Sequence, residues 1–437
     1  MHAESPIHMS ISKSTQKSMR RILCLAIFST ILFLSDFNIY AQGVSKGAVI
    51  NIADFYSPSS PTSGIQEAID ILPPEGGLIT IPPGTYLLKR SIVLRDNITL
   101  RGSGPSTILK KCPGMQTRLV ESGPRGSMNI KVETVEGFEP GMQICIKSKE
   151  WVGWHCSQPF ITGITGTTLL LSDSLEKDYS TETTVVINYF PAIWILSKKN
   201  ILIEDITIDG NIENNAGTFQ DFVTAAIHSG HSDNLTIRGC FVRNWPSDGI
   251  GIQGGSDIVV TECNVSGCRG QGFHPGTLIQ HAIFSNLVAH HNTGDGLYFC
   301  AFVKHINVSN SIFYQNGKNG IGGLGGEPWP DCHNVVANNV CEANGMCGIQ
   351  GTEGSNFVIS NNICRNNSQS SPGVFPGILL RNCANMLVNG NLCYDDQEVV
   401  KKTQKCGIEE IGNSINNMLS SNNSWGNLAG DVMKSEK

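Results

Sequence analysis

The chain has 437 residues and a formal net charge of −6, with charged residues at 16% and 47 glycines. With no basic excess it carries no field for gathering nucleic acid. So much glycine, with asparagine abundant, suits a fold in which tight turns recur better than it suits a helical bundle.

In chain order, residues 1–41 read as an export leader. Lys13, Lys17, Arg20 and Arg21 precede an apolar run from Ile22 to Ser35, and Ile39-Tyr40-Ala41 offers a cleavage site. The run is too short to span a bilayer, and no later segment is long and apolar enough to try. Cys24 lies inside the run rather than after it, which argues against a lipid-anchored start. The expectation is a secreted or periplasmic protein with no membrane span after leader removal. Four basic and two acidic residues leave with the leader, so the formal charge moves to −8. Export permits disulfides among the fourteen remaining cysteines.

Residues 42–112 read as an N-terminal cap and first coils, with Asn97-Ile-Thr-Leu-Arg-Gly-Ser-Gly104 as one turn of a repeat. The stretch 113–190 breaks the rhythm. Val132 to Cys145 and Thr167 to Asn188 read as short hairpin strands around turns, a small β insertion packed on the coils. From 191 to 431 the repeat runs on, leaving 432–437 as a tail.

The repeat is the strongest signal. Asn234-Leu-Thr-Ile-Arg-Gly-Cys-Phe-Val242 and Asp257-Ile-Val-Val-Thr-Glu-Cys-Asn-Val265 share a scheme with the units starting at His281, His305, His333, Asn356 and Asn385. The units end at Val242, Val265, Ala289, Phe313, Cys341, Cys364, Cys393 and Trp425, at intervals of 23, 24, 24, 28, 23, 29 and 32. A fixed period with insertions at one point marks a stacked solenoid. Within each unit the alternation has period two, as a strand demands, and Ile237, Val260, Phe284, Val308, Val336, Ile359 and Val388 form one apolar column. Two residues before each unit's end stand Cys240, Cys263, Leu287, Ser311, Asn339, Asn362, Asn391 and Asn423, which predicts an asparagine ladder at a bend. Cys341, Cys364 and Cys393 read as small core residues and not as disulfide partners. A glycine (Gly249, Gly272, Gly296, Gly320, Gly348, then Gly377 and Gly407) opens a second short strand in each coil. The fold class is therefore all-β, a parallel β-helix with an N-terminal cap and a small β insertion.

Ser63-Gly-Ile-Gln-Glu-Ala-Ile-Asp-Ile-Leu, then Gly76-Gly-Leu-Ile-Thr-Ile-Pro-Pro-Gly-Thr-Tyr86, then Ile98-Thr-Leu-Arg-Gly-Ser-Gly104 resemble the cap and first coils of the pectate-lyase-like superfamily of right-handed parallel β-helices. That group includes relatives of the polygalacturonases, and Ile206-Thr-Ile-Asp-Gly-Asn211 fits it as well. The resemblance covers most of residues 50–430 and implies fold strongly and reaction weakly, because the scaffold serves hydrolases, lyases, epimerases and tailspikes. Polygalacturonases carry an adjacent Asp pair and an Arg-Ile-Lys. This chain has neither, offering Pro246-Ser-Asp-Gly249, Gly270-Gln-Gly-Phe-His-Pro-Gly276, Asn292-Thr-Gly-Asp-Gly296 and Leu380-Arg-Asn382 instead.

The residue two after each glycine should face outward, since the one between is apolar. That row reads Gly251, His274, Tyr298, Gly322, Gln350, Leu379 and Glu409, with Trp245 in the turn before. Asp248 and Asp295 stand just before their glycines, two coils and about 9.6 Å apart. Inverting glycosidases hold acid and base about 6.5–9.5 Å apart. Asp248 and Asp295 are thus candidate acid and base, with His274 between them and Tyr298 beside it. Asp-Gly is also a common turn pair whose side chains strict alternation would point inward, and both readings stay open.

Three functions follow. The first is an extracellular glycosidase working on a polysaccharide by paired carboxylates. The second is a lyase that eliminates across a uronic acid with His274 or Tyr298 as base or acid, Ca²⁺ entering only here. The third is a carbohydrate-binding or adhesin solenoid without turnover. Candidate binding residues are Trp245, Arg269, Lys304, Glu327, Gln350, Glu353 and Arg381, with Pro328 and Trp329 beside Glu327 in an insertion. His228 and His231 read as strand caps in a turn, with no third ligand spaced for a metal. No cofactor is expected, the partner is a poly- or oligosaccharide, and a monomer is expected.

Overall fold

The computed structural model describes residues 47–150, 155–215, 222–325 and 332–434. The leader expected at 1–41 lies outside them, as do Glu327, Pro328 and Trp329. Among the described residues no helix is long and apolar enough to cross a membrane.

Each coil contributes a strand to each of three parallel sheets. In one coil these are Gly255–Thr261 (sheet 1), Asn264–Ser266 (sheet 2) and Phe273–Pro275 (sheet 3). Every strand pairs with its counterpart one coil away, so Leu235 lies on Ile258, Val242 on Val265 and Ile250 on Phe273. The column from Ile237 to Val388 is fully buried, as are the sheet 3 residues Ile250, Phe273, Leu297, Ile321, Ile349 and Ile378. Cys341, Cys364 and Cys393 stack in register in the core, and all fourteen described cysteines are free thiols.

Three corners turn the chain, and each is a column of left-handed residues. Asn200, Asn234, Asp257, His281, His305, His333, Asn356 and Asn385 all have φ between 51° and 59° at the corner entering sheet 1. The units recognised in the sequence therefore begin at these αL positions. Asn, Asp and His tolerate that conformation better than other side chains with a Cβ. The second corner carries Glu262, Asn286, Asn310, Asn338 and Asn361, the third Asn244, His291, Gln315, Ala343 and Asn366. Such corners explain the asparagine content.

The residue after the αL position turns inward at all three corners, and at the last two the ladders form. Asn339 Nδ2 donates to Asn362 Oδ1 at 3.1 Å, Asn362 to Asn391 at 3.0 Å and Asn391 to Asn422 at 2.9 Å. The last step corrects the predicted register. Cys393 pairs with Ser424 and not Trp425, so Asn422 and not Asn423 continues the column. A second ladder, not recognised in the sequence, runs Asn292–Asn316–Asn344–Asn367 and passes through Gln404 to Asn427. Except at the half-buried ends Asn422 and Asn427, these amides are buried, and each meets a neighbouring amide and a backbone carbonyl, as buried polar groups must.

The strand Ile98–Lys111 pairs directly with Lys199–Asp209, and Ile92–Val93 with Ile193–Trp194. The intervening chain leaves and re-enters between adjacent coils. It forms two antiparallel sheets, Gln116–Arg118/Thr184–Ile187/Cys145–Ser148 and Asn129–Lys131/Thr168–Leu171/Ile161–Thr165. Their own core holds Leu119, Ile130, Ile146, Leu169 and Val186. Near sheet 3 it is tied down by Gln143, whose Oε1 accepts from Ser91 N at 2.9 Å, and by Arg90 over the Phe160 ring at 5.2 Å. The short helix Ile65–Asp70 buries Ile65, Ala68 and Ile69 in the core shared with the coils.

On the outer face of sheet 1, buried Glu204 is bound by Arg101 Nε at 2.5 Å and by Arg238, one from each neighbouring coil. Burial pushes its carboxyl up, but the two guanidinium groups outweigh it and hold the pKa below 4.5.

Two stability predictions follow from stacking. Asn362→Ala strips partners from Asn339 and Asn391 and should cost about 2–4 kcal/mol in chemical denaturation, whereas exposed Asn307→Ala should cost under about 0.5 kcal/mol. Glu204→Gln should cost about 1–2 kcal/mol near neutrality, because both arginines are half exposed. A depressed carboxyl stabilises above its unfolded pKa, so this difference should vanish as pH falls below 4.5 through the folded value.

Candidate active site on the outer face of the third sheet

The strands of sheet 3 alternate buried, apolar residues facing the core with residues facing outward. Pairing puts Val93, Trp194, His228, Gly251 and His274 in one outward row. The row continues through Tyr298, Gly322, Gln350, Leu379 and Glu409. His228 belongs to the strand Ile227–Gly230, which corrects its expected place in a turn, while His231 does sit at a corner with φ 50°. Much of the row is covered: His228, His274, Leu379 and Glu409 are buried, while Trp194, Tyr298 and Gln350 are half-buried.

Asp248 and His274 are the centre of this face. His274 Nδ1 donates to Asp248 Oδ2 at 2.7 Å, and Asp248 Oδ1 accepts from the Gln271 backbone at 2.7 Å. Gly270 makes this possible, since a Cβ there would lie 2.0 Å from Asp248 Oδ1. The phenol ring of Tyr298 meets the imidazole edge to face, centroids 5.3 Å apart. Burial opposes charge on His274, but the Asp248 carboxylate and the nearby Cys300 thiol outweigh it and raise the pKa to about 9. The ring is therefore an imidazolium at neutral pH.

Asp295 is buried one coil further along, with Oδ1 accepting from Asn319 N at 2.8 Å and Nδ2 at 2.7 Å. Burial raises its pKa, against the pull of those bonds, Lys318 and His274. Gly322 leaves it room, as a Cβ there would come within 2.6 Å of the carboxylate. Neither carboxylate lies inside the solenoid lumen: the glycine turns bring both to the edge of sheet 3.

The structure gathers Asp248, His274, Tyr298 and Asp295, with Gln350 joined to Asn319 at 2.8 Å. The other binding candidates are scattered. Trp245 is no sugar platform, because it is fully buried in the core with its indole N–H on Thr224 O at 2.7 Å. Arg269 is bound to the Asn215 carbonyl at 2.9 Å. Lys304 belongs to a strand of sheet 1, stacked 3.8 Å over Phe302. Arg381 stands four coils from His274, roughly 19 Å along the axis, and Glu353 takes the corner beside it with φ 64°. Glu327 lies outside the described residues.

The sequence reading missed the other half of this face. Two adjoining cavities, of about 290 and 510 Å³, lie between sheet 3 and the insertion and share Gln158, Asp173 and Trp194. Arg90 and Phe160 line one, His228 and Glu176 the other. Gly251, which is buried, separates His228 from His274 in the row, one coil from each. Counting back six residues from the αL positions Asn200 and Asn234 would have found Trp194 and His228.

Residues 59–274 match the family model described as rhamnogalacturonase A/epimerase, pectate lyase-like, and residues 280–432 match that of the right handed beta helix region. The chain belongs to the pectate lyase-like right-handed parallel β-helix proteins. No curated protein matches it. The A-module of the mannuronan C-5 epimerase AlgE4 of Azotobacter vinelandii is similar, with TM-score 0.57 at 16% identity over 89% of this chain and 100% of that one. The AlgE6 A-module of the same organism gives 0.51 at 16% over 88% and 98%. Gene product 12 of bacteriophage phi29 gives 0.59 at 12% over 85% and 45%. At these identities the likeness is one of fold.

If the Asp248 charge holds the imidazolium, Asp248→Asn should lower the His274 pKa from about 9 by at least about one unit, followed by NMR titration of the ring protons.

Proposed function

We propose that the chain is an exported enzyme acting on a uronic-acid polysaccharide, with proton transfer at the His274–Tyr298 pair. The observation that carries this is the 2.7 Å Asp248–His274 bond on the outward row of sheet 3 with Tyr298 against the ring. An imidazolium oriented by a buried carboxylate is a general acid, and the Tyr298 ring lies against it. In β-elimination Tyr298, as the phenolate, takes the proton at C5 of the uronate, the C4–C5 double bond forms as the C4–O bond breaks, and His274 gives a proton to the departing glycosidic oxygen. Trp194 and Phe160 would stack sugars in the adjoining cavities. The similar fold of two epimerase modules, and a family model whose description includes epimerases, fit chemistry that starts at a uronate C5.

Calcium does not fit this centre, since it takes about six to eight oxygen ligands. Asp248 is committed to His274 and Asp295 to Asn319, and among the described residues no cluster of three or more His, Cys, Asp or Glu suits a metal.

One observation favours hydrolysis instead. Burial raises the pKa of Asp295, as a carboxylic acid that protonates a leaving group requires. Its weakness is Asp248, whose two oxygens are already engaged by His274 and Gln271.

The test is product chemistry on a panel of neutral and acidic polysaccharides, following reducing ends and the ultraviolet absorbance of unsaturated uronate together. Both signals support elimination, reducing ends alone support hydrolysis, and tight binding without either leaves a carbohydrate-binding solenoid. For elimination, His274→Asn should lower turnover by about a hundredfold to ten-thousandfold. Turnover should also fall as pH rises through about 9, where His274 loses its proton, with this limb moved to lower pH in Asp248→Asn.

A further inference from the structure

The thiols of this chain are not alike. Of the described cysteines all but Cys300 and Cys332 are buried, and burial pushes Cys268 and Cys406 up to about 12. Cys300 is partly exposed and follows Tyr298 by two residues, with Phe299 between them turned into the core. Its backbone N–H donates to Pro275 O at 3.0 Å, which sets it on the outer face one coil from His274. The Thr277 hydroxyl lies 3.1 Å from its Sγ. Burial would raise its pKa, but His274 and Thr277 outweigh this and lower it to about 7. Asp248, His274 and Cys300 thus stand together, the carboxylate bonded to the imidazole and the imidazole beside the thiol, the grouping that makes cysteine nucleophilic.

We propose that Cys300, partly exposed beside the Asp248–His274 pair, is a covalent acceptor site for small disulfides. The Sγ lone pair attacks one sulfur of the disulfide, the new S–S bond forms as the old one breaks, and the other half leaves as a thiolate. Cys300 is oxidised, the released half is reduced, and no further oxidant is needed. The added group sits beside His274 and Tyr298 and closes the row at its centre. Reduction by excess thiol reverses it. The proposal is independent of which reaction the face performs.

The full chain is treated with dithionitrobenzoate, and the rates of modification at Cys300 and Cys332 are read by peptide mass mapping from about pH 5 to 9. Cys300 should react about tenfold faster than Cys332 near neutrality, with a midpoint near pH 7 and not at the free-thiol value of about 8.5. In His274→Asn and in Asp248→Asn the midpoint should move up by about one unit or more while the Cys332 rate stays constant. A wild-type Cys300 no faster than Cys332, or with a midpoint near that of a free thiol, overturns the proposal. So does a midpoint that neither substitution moves. Should a variant unfold, its buried thiols become reactive and reveal it, and the wild-type profile then decides alone.

Discussion

Every coil of this molecule lies in register on the next, about 4.8 Å away, and hydrogen-bonds to it along all three sheets. Whatever one coil places at a position, its neighbours must accommodate at the same position. Inside the solenoid only two kinds of residue satisfy that: apolar ones, and polar ones that bond to their own copies. The aliphatic columns are the first kind and the asparagine ladders the second, each amide donating to the carbonyl oxygen of its copy. The corners obey the same rule through the backbone, with an αL residue recurring at each. The stacked rings of His281, His305 and His333, centroids 5.0 and 5.6 Å apart, show that even exposed corner side chains fall into columns.

A site arises where this repetition is broken. The outward row of sheet 3 changes residue at every step, from Trp194 to His228, Gly251, His274, Tyr298 and Gly322. Close spacing along the axis then brings unlike groups into contact. Asp248 reaches the next coil's imidazole because Gly270 leaves room, and Asp295 survives burial because Asn319 and the gap over Gly322 accept it. Two opposing effects meet on His274. Burial disfavours its charge, while the Asp248 carboxylate and Cys300 favour it, and these two partners win. The Asp248 carboxylate and Cys300 thus act on the same imidazole, with the Tyr298 ring against it.

The insertion supplies what a repeat cannot. A solenoid face is shallow, and stacked strands alone give a ligand a floor without walls. By leaving the helix after Lys111 and returning before Lys199, the chain places a second small core beside sheet 3 and encloses the cavities over Trp194 and His228. Arg90 on Phe160 and Gln143 on Ser91 fasten that wall to the coil it faces.

Much of this was legible in the sequence for a physical reason. Period-two alternation within a unit says which way a side chain faces, and a fixed period between units says what lies above and below it. The apolar columns, the buried Cys341–Cys364–Cys393 stack and the adjacency of His274 and Tyr298 follow from those two periods alone. Where loop length varies the period loses its grip, which is why Asn423 stood in for Asn422 and why Gln404 was not seen to continue a ladder of asparagines. Contacts between segments far apart in the chain left no periodic trace. Trp245 turning into the core, Asp248 choosing His274 as its partner, the approach of Cys300 to that ring and the insertion closing over Trp194 were decided only by tertiary structure. Each depends on the space left by residues elsewhere in the chain, and local patterning specifies the direction of a side chain but not what fills the space it points into.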